Sequence, residues 1–285
     1  MDYTLREWVE MAGKHPLSWA AVQAQMEESG DTEDEVRSRM QCMLRCMKEA
    51  VQDGMQQDLR SLSGLTGGQA FRLHQRYAQG KALCGSLLGK ATVYALATAE
   101  SNACMGKIVA APTAGACGVL PGAVLACMEE RQISEDLAVN ALLTAAAVGV
   151  SIATEASIAG AEGGCQAECG AAAAMTAAAL VEIEGGSAME CAEAAAFALM
   201  NLLGLVCDPV GGLVEVPCVY RNVGAVSVAF SAADMVLSGI RCPIEPDEVI
   251  QAMKEVGDVL PGSLRETGEG GCAACPSVCF RKQDA

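Results

Sequence analysis

GAAAAMTAAALV (170–181) carries no charge, no proline and no aromatic ring, and is made mostly of the strongest helix former. Its side chains are too small and too weakly apolar for a membrane span, so a helix buried in a soluble protein is expected. The same texture extends outward from about residue 61 to the end. Ala-rich segments there are broken by Gly/Pro loops: SLSGLTGG (61–68), APTAGACG (111–118), GAEGGC (160–165) and CDPVGG (207–212). No window alternates β-branched and polar residues as a half-buried strand would. LVEVPCVY (213–220) is the most strand-like stretch, and Pro217 weakens it. The expected fold class is all-α, with helices packing through Ala and Gly. Two further charge-poor windows, 108–128 and 137–154, are interrupted by Pro and Gly or by Asn, Thr and Ser, so no membrane crossing is expected.

Residues 1–60 differ. Leu5, Trp8, Val9 and Met11 are bulky and amphipathically spaced, and a polar turn follows at ESGDTE (28–33). Thr32 before Glu33, Asp34 and Glu35 reads as a helix N-cap with an acidic first turn. Met40, Met43, Leu44, Met47 and Val51 then recur at helical spacing. Two or three helices are expected, forming a packing layer over 1–60 that is separate from 61–285. Cys42 and Cys46, beside that stripe, read as filler.

A formal charge of −16 with 4% aromatic residues and no Lys/Arg run excludes nucleic acid and anionic membrane surfaces as partners. Fifteen cysteines is a high and odd number. The N-terminal residues contain early acids and no apolar leader, so a reducing, cytoplasmic setting with buried thiols plus a metal or cluster site is expected rather than a disulfide framework. His15 and His74 are the two histidines, and both precede the Gly-rich loops 111–212, so a His-based zinc site or a Ser-His-Asp triad there is hard to build. No GxxxxGK[ST] occurs. Lys107 in SNACMGK would be the lysine for pyridoxal phosphate, but nothing beside it forms a phosphate cup. A solvated helix residue is the stronger reading, and pyridoxal phosphate is not expected.

Three cysteines lie in loop-forming sequence. Cys165 follows Gly163 and Gly164, Cys207 precedes Asp208-Pro209, and Cys218 follows Pro217. Residues before proline are pushed to extended backbone, so these thiols are expected on turns. Glycine beside them lets the backbone approach a bulky inorganic group. Their spacing is not that of a CxxC ribbon and names no group by itself.

SNACMGKIVAAPTAGACGVLPG (101–122), EASIAGAEGGCQAECG (155–170) and GLVCDPVGGLVEVPCVYRN (204–222) together resemble iron–sulfur-dependent L-serine dehydratase, in the α chain of its two-chain form. SLSGLTGG (61–68) and LRETGEGG (264–271) extend the likeness over essentially the whole chain. The resemblance implies a 4Fe–4S cluster on Cys165, Cys207 and Cys218, within a cluster-binding catalytic domain over 61–285. Three thiolates on four irons leave one iron open, which suits Lewis-acid chemistry on the serine hydroxyl. It also implies a separate β chain, a hetero-oligomer, and a histidine of that partner as the base, because the loops around these cysteines contain none.

The substrate's charged ends need polar anchors. Ser63, Thr66, Gly67, Gly68, Ser101, Asn102 and Thr113 are the candidates, with turn and cap roles as the alternative for each. Glu162, Glu168, Asp208 and Glu215 lie near the cysteines in sequence and are candidate acceptors around them. Cys169 lies outside the family's ligand set. Cys272, Cys275 and Cys279 (CAACPSVC) depart from the family's α chains, which carry few thiols there. One of them could cap the open iron as a Cys tail does in single-chain relatives, or the tail is simply loose and reducible. Two other functions compete with serine dehydration: a related cluster-dependent lyase (cysteine desulfidase or threonine deaminase), and a non-catalytic cluster-binding scaffold.

Overall fold

The computed structural model describes residues 2–279, with the side chain of Cys279 outside that description. Thirteen helices follow in order: α1 (Leu5–Ala12), α2 (Leu17–Ser29), α3 (Glu33–Gly54), α4 (Gln69–Ala78), α5 (Gly85–Ala103), α6 (Val119–Glu130), α7 (Glu135–Glu155), α8 (Gly160–Gly163), α9 (Ala171–Ile183), α10 (Ala188–Leu202), α11 (Cys218–Leu237), α12 (Pro246–Val259) and α13 (Pro276–Cys279). No strand occurs among the described residues, and LVEVPCVY instead runs through a loop into α11. The all-α reading is correct.

Every residue of α9 is buried, and α6, α7, α10 and α11 all pack against it. A helix of alanines has no broad apolar side chains to shield its neighbours, so burial comes from close backbone approach. The same economy recurs around α5. A Cβ built on Gly54 of α3 would overlap the Ala97 carbonyl, and one on Gly118 would overlap that of Ala95. Core packing near crystal density allows no such overlap, so both positions require glycine.

The N-terminal layer consists of three helices. Thr32 caps α3 as expected: its hydroxyl accepts from the Glu35 amide, and the Glu35 carboxylate accepts from the Thr32 amide at 2.8 Å. Thr4 and Glu7 repeat the device on α1. Asp247 of α12 accepts the amides of Leu5 and Arg6 at 2.7 and 3.1 Å, tying the first helix to the last third of the chain. Leu5, Trp8, Leu17 and Leu44 share one buried cluster with α5, α7 and α9. Glu182 on α9 is buried and accepts from the hydroxyls of Ser18 (2.6 Å) and Thr144 (2.9 Å), joining α2 and α7 to it. α7 is, among the described residues, the one helix long and apolar enough to cross a membrane, and 67% of its most apolar window is buried in this packing.

Gly54→Ala should lose about 1–3 kcal/mol, because a backbone carbonyl cannot step aside. Gly224→Ala, on the open face of α11 with nothing within 4 Å of the new methyl, should gain up to about 1 kcal/mol. Urea unfolding of the two variants against the parent measures both.

Candidate functional site

The wholly buried α9 begins where the first of the three cysteines ends its loop. Gly164 (φ +77°) makes a turn that a side chain could not enter, since a Cβ there would lie 2.9 Å from the Leu205 carbonyl. Cys165 follows, and a π-helical turn over Gln166–Gly170 leads straight into α9. Cys207 lies in an extended segment held from both sides. Its amide donates to Leu264 O (2.8 Å) and its carbonyl accepts from Glu266 N (2.7 Å). Cys218 is the first residue of α11, directly after Pro217.

All three thiols are buried, at 2%, 3% and 7% exposure, and they lie close enough to perturb one another. Burial pushes Cys207 well above the usual thiol range, with Glu168 and Cys165 adding to it. Cys218 is pushed up to about 12 by burial and then by Cys165. Cys165 moves the other way: a hydrogen bond from the Cys169 thiol lowers it, and the Arg221 guanidinium helps against burial. The buried Cys169 keeps its proton as that donor, its own value driven up by the same hydrogen bond and by burial. Cys165 is therefore the one of these three thiols whose ionised form its surroundings favour.

Charged and polar groups close round the thiols. The Glu168 carboxylate accepts from Thr113 Oγ1 at 2.8 Å and lies 3.8 Å from Cys207 Sγ, its own pKa raised chiefly by burial. Gly160 and Gly115 face it. A Cβ at Gly160 would lie 2.9 Å from Cys207 Sγ and 2.8 Å from Glu168 Oε2, and one at Gly115 would lie 3.0 Å from Glu168 Oε1. Arg221 donates to Val206 O (2.7 Å) and pairs with Asp208 at 2.6 Å. Asn222 donates to Gly115 O and Cys218 O and accepts from the Gly118 amide, locking the 111–118 loop to the start of α11. No three His, Cys, Asp or Glu side chains among the described residues converge on a point suited to a single metal ion.

Three of the polar candidates, Ser63, Asn102 and Thr113, bond to residues of this cage or of the segments that carry it. Ser63 gives its amide (3.1 Å) and its hydroxyl to Glu215, three residues before Cys218. Thr113 binds Glu168, and Asn102 Nδ2 donates to Ala114 O at 3.2 Å. The Gly67 amide is not free for a ligand, because buried Glu100 takes it at 2.8 Å together with the amides of Gln69 and Ala70. Gly68 sits at φ +69° as the N-cap of α4. Thr66 Oγ1 and Ser101 Oγ, both buried, make no hydrogen bond with any described residue. Thr66, Gly67 and Gly68 line a polar cleft of about 610 Å³ with Arg60 and Arg72.

Other candidates stand apart. Lys107 is exposed. His15 stacks on Trp19 at 4.4 Å, and His74 lies on α4 facing Tyr94 and Glu129. Glu162 accepts from Ser157. Cys46 is buried and Cys42 exposed on α3. Cys272 and Cys275 are exposed, yet the Cys272 amide donates to Asp208 at 2.6 Å, so the tail docks beside Cys207. The thiol of Cys279 lies outside the described residues.

Glu100, Arg221 and Asn222 were not singled out by motif. Their signals were present: Glu100 is a lone acid in a charge-poor helix, and the other two follow Cys218 by one helical turn. Replacing Glu100 with Ala leaves three amides without their acceptor and should cost about 2–3 kcal/mol. Hydrogen exchange at Gly67, Gln69 and Ala70 should speed up together, while the α9 amides keep their protection.

The chain matches the family model described as serine dehydratase alpha chain over residues 14–273. It is 48% identical to the probable L-serine dehydratase alpha chain of Bacillus subtilis over 279 residues, covering 97% of this chain and 93% of that one. It is 40% identical to the L-serine dehydratase alpha chain of Peptoniphilus asaccharolyticus, over 95% of this chain and 93% of the relative. The L-serine dehydratase of Streptomyces coelicolor is 37% identical over 94% of this chain, but that match covers only 59% of the relative's length. With a family match across most of its length and two near-full-length relatives, this chain belongs to the serine dehydratase alpha-chain family.

Proposed function

We propose that this chain is the cluster-bearing half of an L-serine dehydratase, converting L-serine to pyruvate and ammonia with a 4Fe–4S cluster on Cys165, Cys207 and Cys218. The carrying observation is that three buried cysteines from three distant segments lie close enough to perturb one another, with Arg221 bound to the residues on either side of Cys207, in a place where glycines at 115 and 160 leave room beside Glu168 and the Cys207 sulfur. Soft sulfur donors without a histidine suit iron–sulfur chemistry. Such a cluster, bound by three thiolates, supplies an iron with an open position that acts as a Lewis acid on the leaving hydroxyl.

The chain's own residues have the remaining tasks. Ser63 and Thr113 are tied to the cysteine loops through Glu215 and Glu168, and Asn102 holds Ala114 of the 111–118 loop. Thr66, Gly67, Gly68 and Ser101 are assigned to the substrate from the neighbouring stretches of the same two loops. The uncommitted hydroxyls of Thr66 and Ser101 are the first choice for donors to the serine carboxylate. Gly67 contributes by shaping the turn, since its amide is already engaged. Loss of the α-proton and the β-hydroxyl as water gives aminoacrylate, which tautomerises to an imine and hydrolyses to pyruvate and ammonia.

The proton acceptor is assigned to a partner chain. Neither His15 nor His74 lies among the residues round the thiols. The Streptomyces relative carries additional length beyond the region this chain matches, as expected if two separate chains correspond to one fused one. Enclosure by that β chain would also exclude water from the site. No observation favours cysteine desulfidation, threonine deamination or a scaffold role. Pyridoxal phosphate has no part in this reading, and adding it should leave activity unchanged.

Anaerobic reconstitution should give four irons and four sulfides per chain, with pyruvate formed from L-serine only once the β chain is added. Cys165→Ser, Cys207→Ser and Cys218→Ser should each fail to retain the cluster, whereas Cys42→Ser and Cys191→Ser should keep it. A full cluster on Cys207→Ser contradicts the ligand set. Full serine turnover by the isolated chain contradicts the partner-borne base.

A further inference from the structure

We propose that Arg221 is the positioning residue of the three-thiol site: one guanidinium that fixes the Cys207 segment against the helix that begins at Cys218. The inference rests on the cluster reading above and concerns how that cluster is kept. Arg221 lies three residues after Cys218 on α11, so it leaves the same helix one turn further on. Its Nη1 donates to the carbonyl of Val206, the residue before Cys207, at 2.7 Å. Its Nη2 pairs with the carboxylate of Asp208, the residue after Cys207, at 2.6 Å. A single side chain thus joins the Cys207 segment to the helix that begins at Cys218.

The charge balance gives this contact its weight. Three thiolates together with Glu168 and Asp208 would place a strongly negative group in a buried volume, with Glu266 adding to the repulsion. Arg221 is a cation whose field reaches Cys165, Cys218 and Glu168. Its side chain is 16% exposed and that of Asp208 only 2%, so solvent screens the pair little. Asp208 passes the order on by accepting the Cys272 amide with its other oxygen. Lysine cannot replace this. A planar fork serves a carbonyl and a carboxylate at once, whereas an ammonium on a flexible stem is a point charge. Without that fork the Cys207 segment is free to shift away from the other two cysteines, which hastens loss of a group they hold together.

The test uses the full chain reconstituted anaerobically. Arg221→Gln alone strands the buried Asp208 charge and can unfold the site, so it is paired with Asp208→Asn. The double variant should keep the parent's circular dichroism. Its cluster should be lost in air about tenfold faster, in line with the usual effect of removing a group that orients a metal ligand. Arg221→Lys keeps the charge without the fork and should lie between the two. A folded double variant that accepts no cluster is the same loss in extreme form. The proposal is overturned if the double variant matches the parent in rate of loss. Should the double variant fail to fold, Arg221→Lys decides: a loss rate equal to the parent's overturns the proposal. A parent chain that accepts no cluster overturns instead the reading on which the inference rests.

Discussion

Backbone-to-backbone approach between small-residue helices is the constraint on which the rest of this structure depends. α9 has no surface residue, and helices on four sides press against its alanines. The π-helical turn after Cys165 runs into that helix without a break, so the first thiol is anchored to a wholly buried helix. Cys218 begins α11, which packs against both α9 and α5. Cys207 has no helix of its own and is instead clamped between Leu264 and Glu266 of the tail segment. Two thiols are thus fixed by core packing and the third by paired backbone hydrogen bonds. Any expansion of the core would shift the first two relative to the third.

The hydrogen-bonding carboxylates explain how soft loops reach a rigid place. Glu100 gathers three amides at the start of α4. Glu215 gathers Ser63, and Glu168 gathers Thr113. Each lies on a segment adjoining the core and reaches out to a glycine-rich loop. Burial makes each of these contacts costly to break, because an unpaired polar group there has no water to turn to. The acidic composition therefore has an internal use as well as an external one.

The helical class and the Thr32 cap were legible in the sequence because each depends on local chemistry. Gly and Pro neighbours marked the breaks at Cys165, Cys207 and Cys218, although Cys165 and Cys218 stand at the heads of helical turns and only Cys207 lies in a loop. Ala content, cap spacing and Gly or Pro neighbours need no knowledge of distant partners. The family likeness then joined the three cysteines, which spacing alone could not do. Glu100, Arg221 and Asn222 were not legible because their roles exist only across the fold: Glu100 serves amides thirty residues earlier in the chain, and Asn222 bridges α11 to Gly115. The commitment of the Gly67 amide was hidden for the same reason. A glycine loop beside a helix start looks like a free cradle until its acceptor is known.

Catalysis on this account depends on one iron being unlike the other three, since three protein thiolates cannot cover four metals. Mössbauer spectroscopy of the chain reconstituted with ⁵⁷Fe and its β partner tests that directly. The expected spectrum contains a minority component of one iron in four whose parameters change when L-serine is added. Four equivalent irons, or a minority component indifferent to serine, would contradict it.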